Sequence, residues 1–165
     1  MGYSSQTRRK ECSILKMDLL KIKHAADRSI KKYKVRFVAK GFSQKEGIDY
    51  EETFAHVARY TSIRAIMALA SMMKWDLHQM DVKTAFLNGE IEEEVYIEQP
   101  QGFEIKDRQN HLCMLKKALY GLKQDPRAWY GRIDSFLMSL DFTKSKVDPN
   151  LYYKVIDDEL VILLI

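Results

Sequence analysis

Residues 77–89 read Leu-His-Gln-Met-Asp-Val-Lys-Thr-Ala-Phe-Leu-Asn-Gly and set one carboxylate, Asp81, in an otherwise mostly apolar run. An ionised Asp is costly to bury unless a positive group holds it, and a divalent cation is the usual holder. Upstream, Lys32, Lys34, Arg36 and Lys40 alternate with Tyr33, Val35, Phe37 and Ala39. In a strand this alternation gathers the basic side chains on one face, where Lys and Arg offer charge-assisted hydrogen bonds to phosphate. On spacing alone the same row reads as a solvated face. A second acidic candidate, Asp157-Asp158, lies between two apolar runs, a setting in which Asp serves a turn on its own account. The four histidines and two cysteines are scattered and form no zinc-ligand spacing.

The elements that must position these residues follow from periodicity. Leu19 to His24 and Lys32 to Lys40 read as two strands joined by Ala-Ala-Asp-Arg-Ser; in a simple register Lys21 and Lys23 join the basic face. Thr61 to Trp75 carries Ile63, Ile66, Met67, Ala70 and Met73 at helical spacing, with Thr61 or Ser62 as cap. Val95 to Ile97 and His111 to Leu119 read as strands. Asp125-Pro126 opens a second helix with Asp as N-cap, and Trp129, Ile133, Phe136, Leu137 and Leu140 form its stripe. Leu151 to Ile156 and Leu160 to Ile165 are the last strands, the final one expected at an edge. The order predicts an α+β fold.

The chain has 165 residues, 46% of them hydrophobic and 30% charged, as in a globular domain with its own core. No apolar run approaches the length of a membrane span, and residues 1–10 lack the apolar segment of a signal peptide, so an intracellular, non-secreted and membrane-free protein is expected. The net charge of +4 is uneven: residues 1–45 hold 13 Lys/Arg against 3 Asp/Glu, and the other 120 hold 14 against 20. A basic arm on a mildly acidic body suits a polyanion such as nucleic acid.

From about residue 20 onward the chain resembles the reverse transcriptase domain of Ty1/copia-type retrotransposons. The carrying motifs are Lys34-Val-Arg36-Phe-Val-Ala-Lys40-Gly41-Phe, Tyr50-Glu-Glu-Thr-Phe54, His78-Gln-Met-Asp81-Val-Lys-Thr-Ala-Phe86-Leu-Asn-Gly89, Val95-Tyr-Ile-Glu-Gln-Pro100 and Leu119-Tyr-Gly121-Leu-Lys-Gln124. The resemblance implies a right-hand polymerase fold. Residues 1–17 would be an unmatched, poorly ordered leader and 18–165 the domain, with fingers at about 20–75 and part of the palm at about 76–165.

Under the same resemblance Asp81 is the first catalytic carboxylate and binds Mg2+, and the carbonyl of Val82 helps to hold the ion that carries the triphosphate. Two such ions clamp the attacking and leaving oxygens of nucleotidyl transfer. Lys34, Arg36 and Lys40 would grip the incoming dNTP. Phe86 would lie beneath its sugar and exclude a 2′-hydroxyl, and Tyr120-Gly121 would line the pocket. Lys123, Gln124 and Arg127 are weaker candidates for contact with the template. The implied partners are an RNA template, a DNA primer and dNTP.

The paired aspartates of the family palm are not Asp157-Asp158, which aligns to the turn before the buried strand. With Asp81 as the single palm carboxylate, the chain is expected to be inactive by itself. The alternative is a non-catalytic nucleic-acid-binding module built on the basic hairpin. The family usually carries Gly at positions 28 and 141 and commonly Pro at 56. Arg28, Asp141 and His56 depart from that pattern.

Overall fold

The computed structural model describes residues 2–4, 15–100, 102–108 and 111–165; side chains before residue 22, and those of residues 34 and 35, lie outside the description. Cys12 and most of the expected leader at 1–17 also fall outside it. Three small antiparallel sheets and two longer helices confirm the α+β class among these residues. Strand β1 (Gly2–Ser4) pairs with β5 (Leu112–Met114), which also pairs with β4 (Tyr96–Ile97). The stretch expected as a strand from 111 to 119 is thus shorter, and the chain beyond Met114 turns back toward the first hairpin.

That hairpin joins β2 (Leu15–His24) to β3 (Ile30–Ala39). Its register places Lys21 opposite Lys34 and Lys23 opposite Lys32, as the simple pairing requires. The connecting turn is closed by Asp27, whose carboxylate accepts the amide and hydroxyl of Ser29 at 3.0 and 2.6 Å. These bonds hold the Asp27 carboxyl below its ordinary pKa. Arg28 takes a left-handed φ of 65° there.

Helix α1 (Tyr60–Met73) forms where the apolar period predicts it. Its capping differs from expectation. Arg59 is the N-cap residue and no side chain caps the helix; Ser62 instead lies inside the first turn and donates its hydroxyl to Asp148. The stripe is only partly covered. Ala70 is buried and Ile63 and Ile66 are half-buried, but Met67 and Met73 stay exposed.

Helix α2 (Asp125–Ser139) begins at the Asp-Pro step. Gln124, not Asp125, occupies the cap position, again with no side-chain cap bond. Leu137 is buried and Phe136 and Leu140 are exposed, so the apolar face is narrower than the spacing implies. After α2, β6 (Thr143–Lys144), β7 (Leu151–Ile156) and β8 (Glu159–Leu164) form a sheet in that order, with β8 at the edge. Asp157 and Asp158 make the two-residue turn between β7 and β8, exposed and with φ of 49° and 63°. Positive φ at both positions is the geometry of the tightest hairpins.

The main core unites Val95 and Ile97 of the β4 region, Cys113 and Leu115 of the β5 region, Ala39 at the end of β3, and Leu122. A second anchor lies between α2 and the last sheet. Tyr152 is wholly buried and donates to Asp134 at 2.5 Å, while Lys144 Nζ sits 3.0 Å from the same carboxylate. Tyr130 donates to the carbonyl of Pro149 at 2.8 Å and presents its ring 4.9 Å from Lys144 Nζ.

Candidate functional site

The first core lies directly beneath the junction of β3 with the segment 119–124. The Ala39 amide donates to the carbonyl of Tyr120 at 2.7 Å, so the end of β3 and this segment behave locally as neighbouring strands. Gly121 has a φ of 96°, and a Cβ there would lie 2.2 Å from the Ala39 carbonyl oxygen. A Cβ on Gly41 would lie 1.9 Å from the carbonyl oxygen of Gly121. The two backbones touch at these glycines, and no larger residue fits at either.

This contact delivers Tyr120 to the basic face of the hairpin. The Arg36 guanidinium carbon lies 5.9 Å from the centre of the Tyr120 ring. The same ring meets Phe86 edge to face, with centroids 5.8 Å apart and planes at 71°. Phe86 arrives on the 3₁₀ turn Ala85–Asn88, whose exit residue Gly89 is pressed against α2: a Cβ on Gly89 would lie 2.8 Å from the backbone of Ala128 and Trp129. Arg36, Phe86, Tyr120 and Gly121 are therefore assembled from three separated segments. Lys40 stands at the end of β3, half-buried, with its carbonyl accepting the Ser43 amide and hydroxyl at 3.0 and 2.7 Å. The Lys34 side chain lies outside the described residues.

Asp81 is placed differently from what its apolar neighbours imply. Residues 75–82 carry no helix or strand, and Asp81 is exposed along with Leu77, Met80 and Val82. Burial is not the cost to be met here, and the argument for a metal from desolvation fails. Among the described residues no three His, Cys, Asp or Glu side chains are grouped to hold a metal. Magnesium needs near-octahedral oxygen ligation. One carboxylate at Asp81 and one carbonyl at Val82 fall short of such a centre.

The three template candidates separate. Gln124 is 2% exposed, and its amide is consumed inside the protein: Oε1 accepts from Gln44 Nε2 at 3.0 Å, and Nε2 donates to the carbonyl of Asp49 at 3.0 Å. Its amide serves first to join the 40–50 loop to the 119–125 segment. Lys123 donates to the Tyr50 hydroxyl at 2.9 Å with its ammonium 4.9 Å over that ring. Arg127 is exposed and lines a cleft of about 700 Å³ with Glu52, His56, Glu92, Gln124 and Tyr130.

Two residues at the site escape sequence reasoning. Gln44 is 4% exposed and its Oε1 also accepts the Lys123 amide at 2.8 Å. No local signal marks a Gln that bonds 80 positions away. Asp125 is 2% exposed with Oδ1 unpartnered, and burial pushes its carboxyl up to about 7, against the pull of the Leu122, Leu119 and Gly121 amides. The Asp-Pro pair signals a helix start, and that signal masks the burial.

The α+β fold thus sets Arg36 of the first hairpin against the rings of Tyr120 and Phe86. The family model for reverse transcriptase (RNA-dependent DNA polymerase) matches residues 10–165, and the chain belongs to that family. It is 46% identical over 147 residues to the retrovirus-related Pol polyprotein from transposon TNT 1-94 of Nicotiana tabacum, covering 89% of this chain and 11% of that protein. It is 47% identical over 130 residues to the corresponding polyprotein from transposon RE1 of Arabidopsis thaliana, covering 79% and 9%. The Ty1-BL Gag-Pol polyprotein of Saccharomyces cerevisiae shares 33% over 106 residues, 64% of this chain and 6% of that one. The chain thus spans about a tenth of the length of the plant relatives it matches. No solved structure matches it. No helix among the described residues is long and apolar enough to cross a membrane.

Proposed function

We propose that the chain forms the fingers, at about 20–75, and part of the palm, at about 76–165, of a retrotransposon RNA-directed DNA polymerase. In this reading the incoming dNTP enters at Arg36, Phe86, Tyr120 and Gly121, with Lys34 and Lys40 completing the cationic edge. The assembly of Arg36, Tyr120 and Phe86 at ring-contact distance carries the reading, since it joins a cation and two rings from segments up to 84 positions apart. Arg36 neutralises triphosphate charge and Phe86 closes the floor under the sugar. Asp81 is the carboxylate that would share magnesium with that triphosphate, beside the Val82 carbonyl; magnesium, when bound, stabilises the charge that builds on the reacting oxygens. Template and primer are the nucleic-acid partners, with Arg127 and Lys123 as the template candidates that keep an exposed position.

By themselves these 165 residues do not hold the metal firmly and do not extend a primer. The test is a primer-extension assay on an RNA template with magnesium or manganese, run beside a dTTP titration followed by NMR. The expected result is no extension, with dTTP shifting Arg36, Phe86 and Tyr120. Template-dependent extension lost on Asp81→Asn would overturn the inactivity, and a titration that leaves all three residues unmoved would overturn the nucleotide site.

A second reading is favoured by the hairpin register. The register puts Lys21 opposite Lys34 and Lys23 opposite Lys32, and like charges at opposed positions destabilise a hairpin unless a polyanion covers them. In this reading the chain binds nucleic acid, duplex or single-stranded, without catalysis, and affinity falls steeply with salt.

A further inference from the structure

The buried amide pair between the 40–50 loop and the 119–125 segment touches no residue assigned to the nucleotide, yet it joins two of the segments that carry the site. Gln44 Oε1 accepts the Lys123 amide at 2.8 Å, Gln44 Nε2 donates to Gln124 Oε1 at 3.0 Å, and Gln124 Nε2 donates to the Asp49 carbonyl at 3.0 Å. Both side chains are at most 4% exposed. A buried polar chain of this kind is stable only when every member is satisfied, so it tolerates one arrangement of the two segments and penalises others. Beside it, Lys123 Nζ bonds Tyr50, itself 8% exposed, and the Gly41–Gly121 contact fixes the backbones face to face.

From this geometry we infer that Gln44 is a positioning residue: through the Lys123 amide and Gln124 it locks segment 119–124 under β3, and so sets Tyr120 against Arg36 and Phe86. The inference rests on the nucleotide-site reading for its consequence, and on the hydrogen bonds alone for its mechanism. Gln44 touches neither Arg36 nor Phe86. Its lever is the short run of four residues from Lys123 back to Tyr120, whose carbonyl is already bonded to the Ala39 amide. Losing the clamp leaves the Tyr120–Ala39 bond, the glycine contact and the buried Leu122 to hold the segment, and frees its Lys123 end to shift. The Tyr120 ring then leaves both partners, and the pocket loses its shape before the domain loses its fold.

The test compares the full chain with Gln44→Met, which keeps side-chain length and removes both hydrogen bonds. Nuclear Overhauser contacts of the Tyr120 ring with Phe86 and with Arg36 are the primary readout, and the Tyr152–Asp134 hydroxyl contact is the remote control. The expected result is loss of both Tyr120 contacts with the remote contact intact, and a dTTP dissociation constant raised ten-fold or more. Tyr120 contacts that persist in the variant would overturn the inference. If dTTP fails to shift the site even in the parent chain, the nucleotide reading falls, while the ring contacts still decide the clamp.

Should Gln44→Met not fold, Gln44→Glu provides the second arm. A protonated Glu keeps one donor and one acceptor, so the Tyr120 contacts are expected at pH 5 and not at pH 8, with the parent chain measured in parallel. Contacts unchanged between those conditions would count against the clamp.

Discussion

At the scale of single residues the most consequential group is Asp125, a carboxyl with an unpaired buried oxygen and a folded-state pKa raised to about 7. Because the folded value lies above the ordinary 3.8, the folded chain holds a proton that the unfolded chain releases between those pH values. Its contribution to stability is complete at low pH and is lost as pH rises toward and through about 7. Asp125→Ala removes the stranded oxygen. It also strands the Leu122, Leu119 and Gly121 amides that the carboxyl accepts, so it is expected to destabilise the chain by about 1–3 kcal/mol at pH 5 and by less at pH 8, measured by urea unfolding at both. Asp81 gives the opposite expectation. It is exposed and outside any helix or strand, so Asp81→Asn should shift stability by less than about 0.5 kcal/mol in the same assay. A large loss would mean that Asp81 is held by contacts the structure does not contain. Arg28 and Asp141 stand where the family usually has Gly, and both keep a left-handed φ, 65° and 61°. Each to Gly is expected to gain about 1 kcal/mol by relieving the Cβ penalty, as read from thermal melts. A loss in either case would show that the side chain contributes more than the strain costs.

At the scale of elements, the hairpin of β7 and β8 decides the question raised by Asp157-Asp158. Both aspartates are exposed in a two-residue turn with positive φ. Asp157→Asn with Asp158→Gly supplies the pair that such turns prefer, and the melting temperature is expected to rise by several degrees with dTTP binding unchanged. Weaker nucleotide binding in that variant would restore these residues as site candidates. The elements also show where periodicity over-reads. The stripe of α1 correctly marks a helix, but Met67 and Met73 face solvent because no described element covers them. Thr84, three residues after Asp81, is a β-branched residue at φ 54°, so local strain sits beside the proposed metal-binding carboxylate. The capping expectations failed for one reason. Ser62 and Asp125 are drawn away from their own helix ends, Ser62 to Asp148 and Asp125 into the core under Leu122.

At the scale of the whole molecule, the uneven charge predicts salt-dependent binding to nucleic acid. With Z phosphates neutralised on a single strand, the logarithmic salt slope is about −0.7Z; changing Lys32, Lys34 and Arg36 together to Ala is expected to make it less steep by about two units. Binding that is absent, or insensitive to salt and to the triple change, would remove the nucleic-acid-binding reading.

The family, the α+β class, the hairpin with its opposed lysines, and the left-handed positions 28 and 141 were all legible in the order of residues. Each depends on neighbours in sequence or on a motif long enough to be specific. What tertiary structure decided is which side chains are inside. It spent the Gln124 amide on Gln44 and Asp49, buried Asp125 at a helix start, and left Asp81 in water despite its apolar neighbours. It also brought Arg36, Phe86 and Tyr120 together, through two glycines that allow backbones to touch and two glutamines 80 positions apart. The physical reason is that burial and hydrogen-bond satisfaction belong to pairs of distant segments, and no single stretch of sequence contains both members of such a pair.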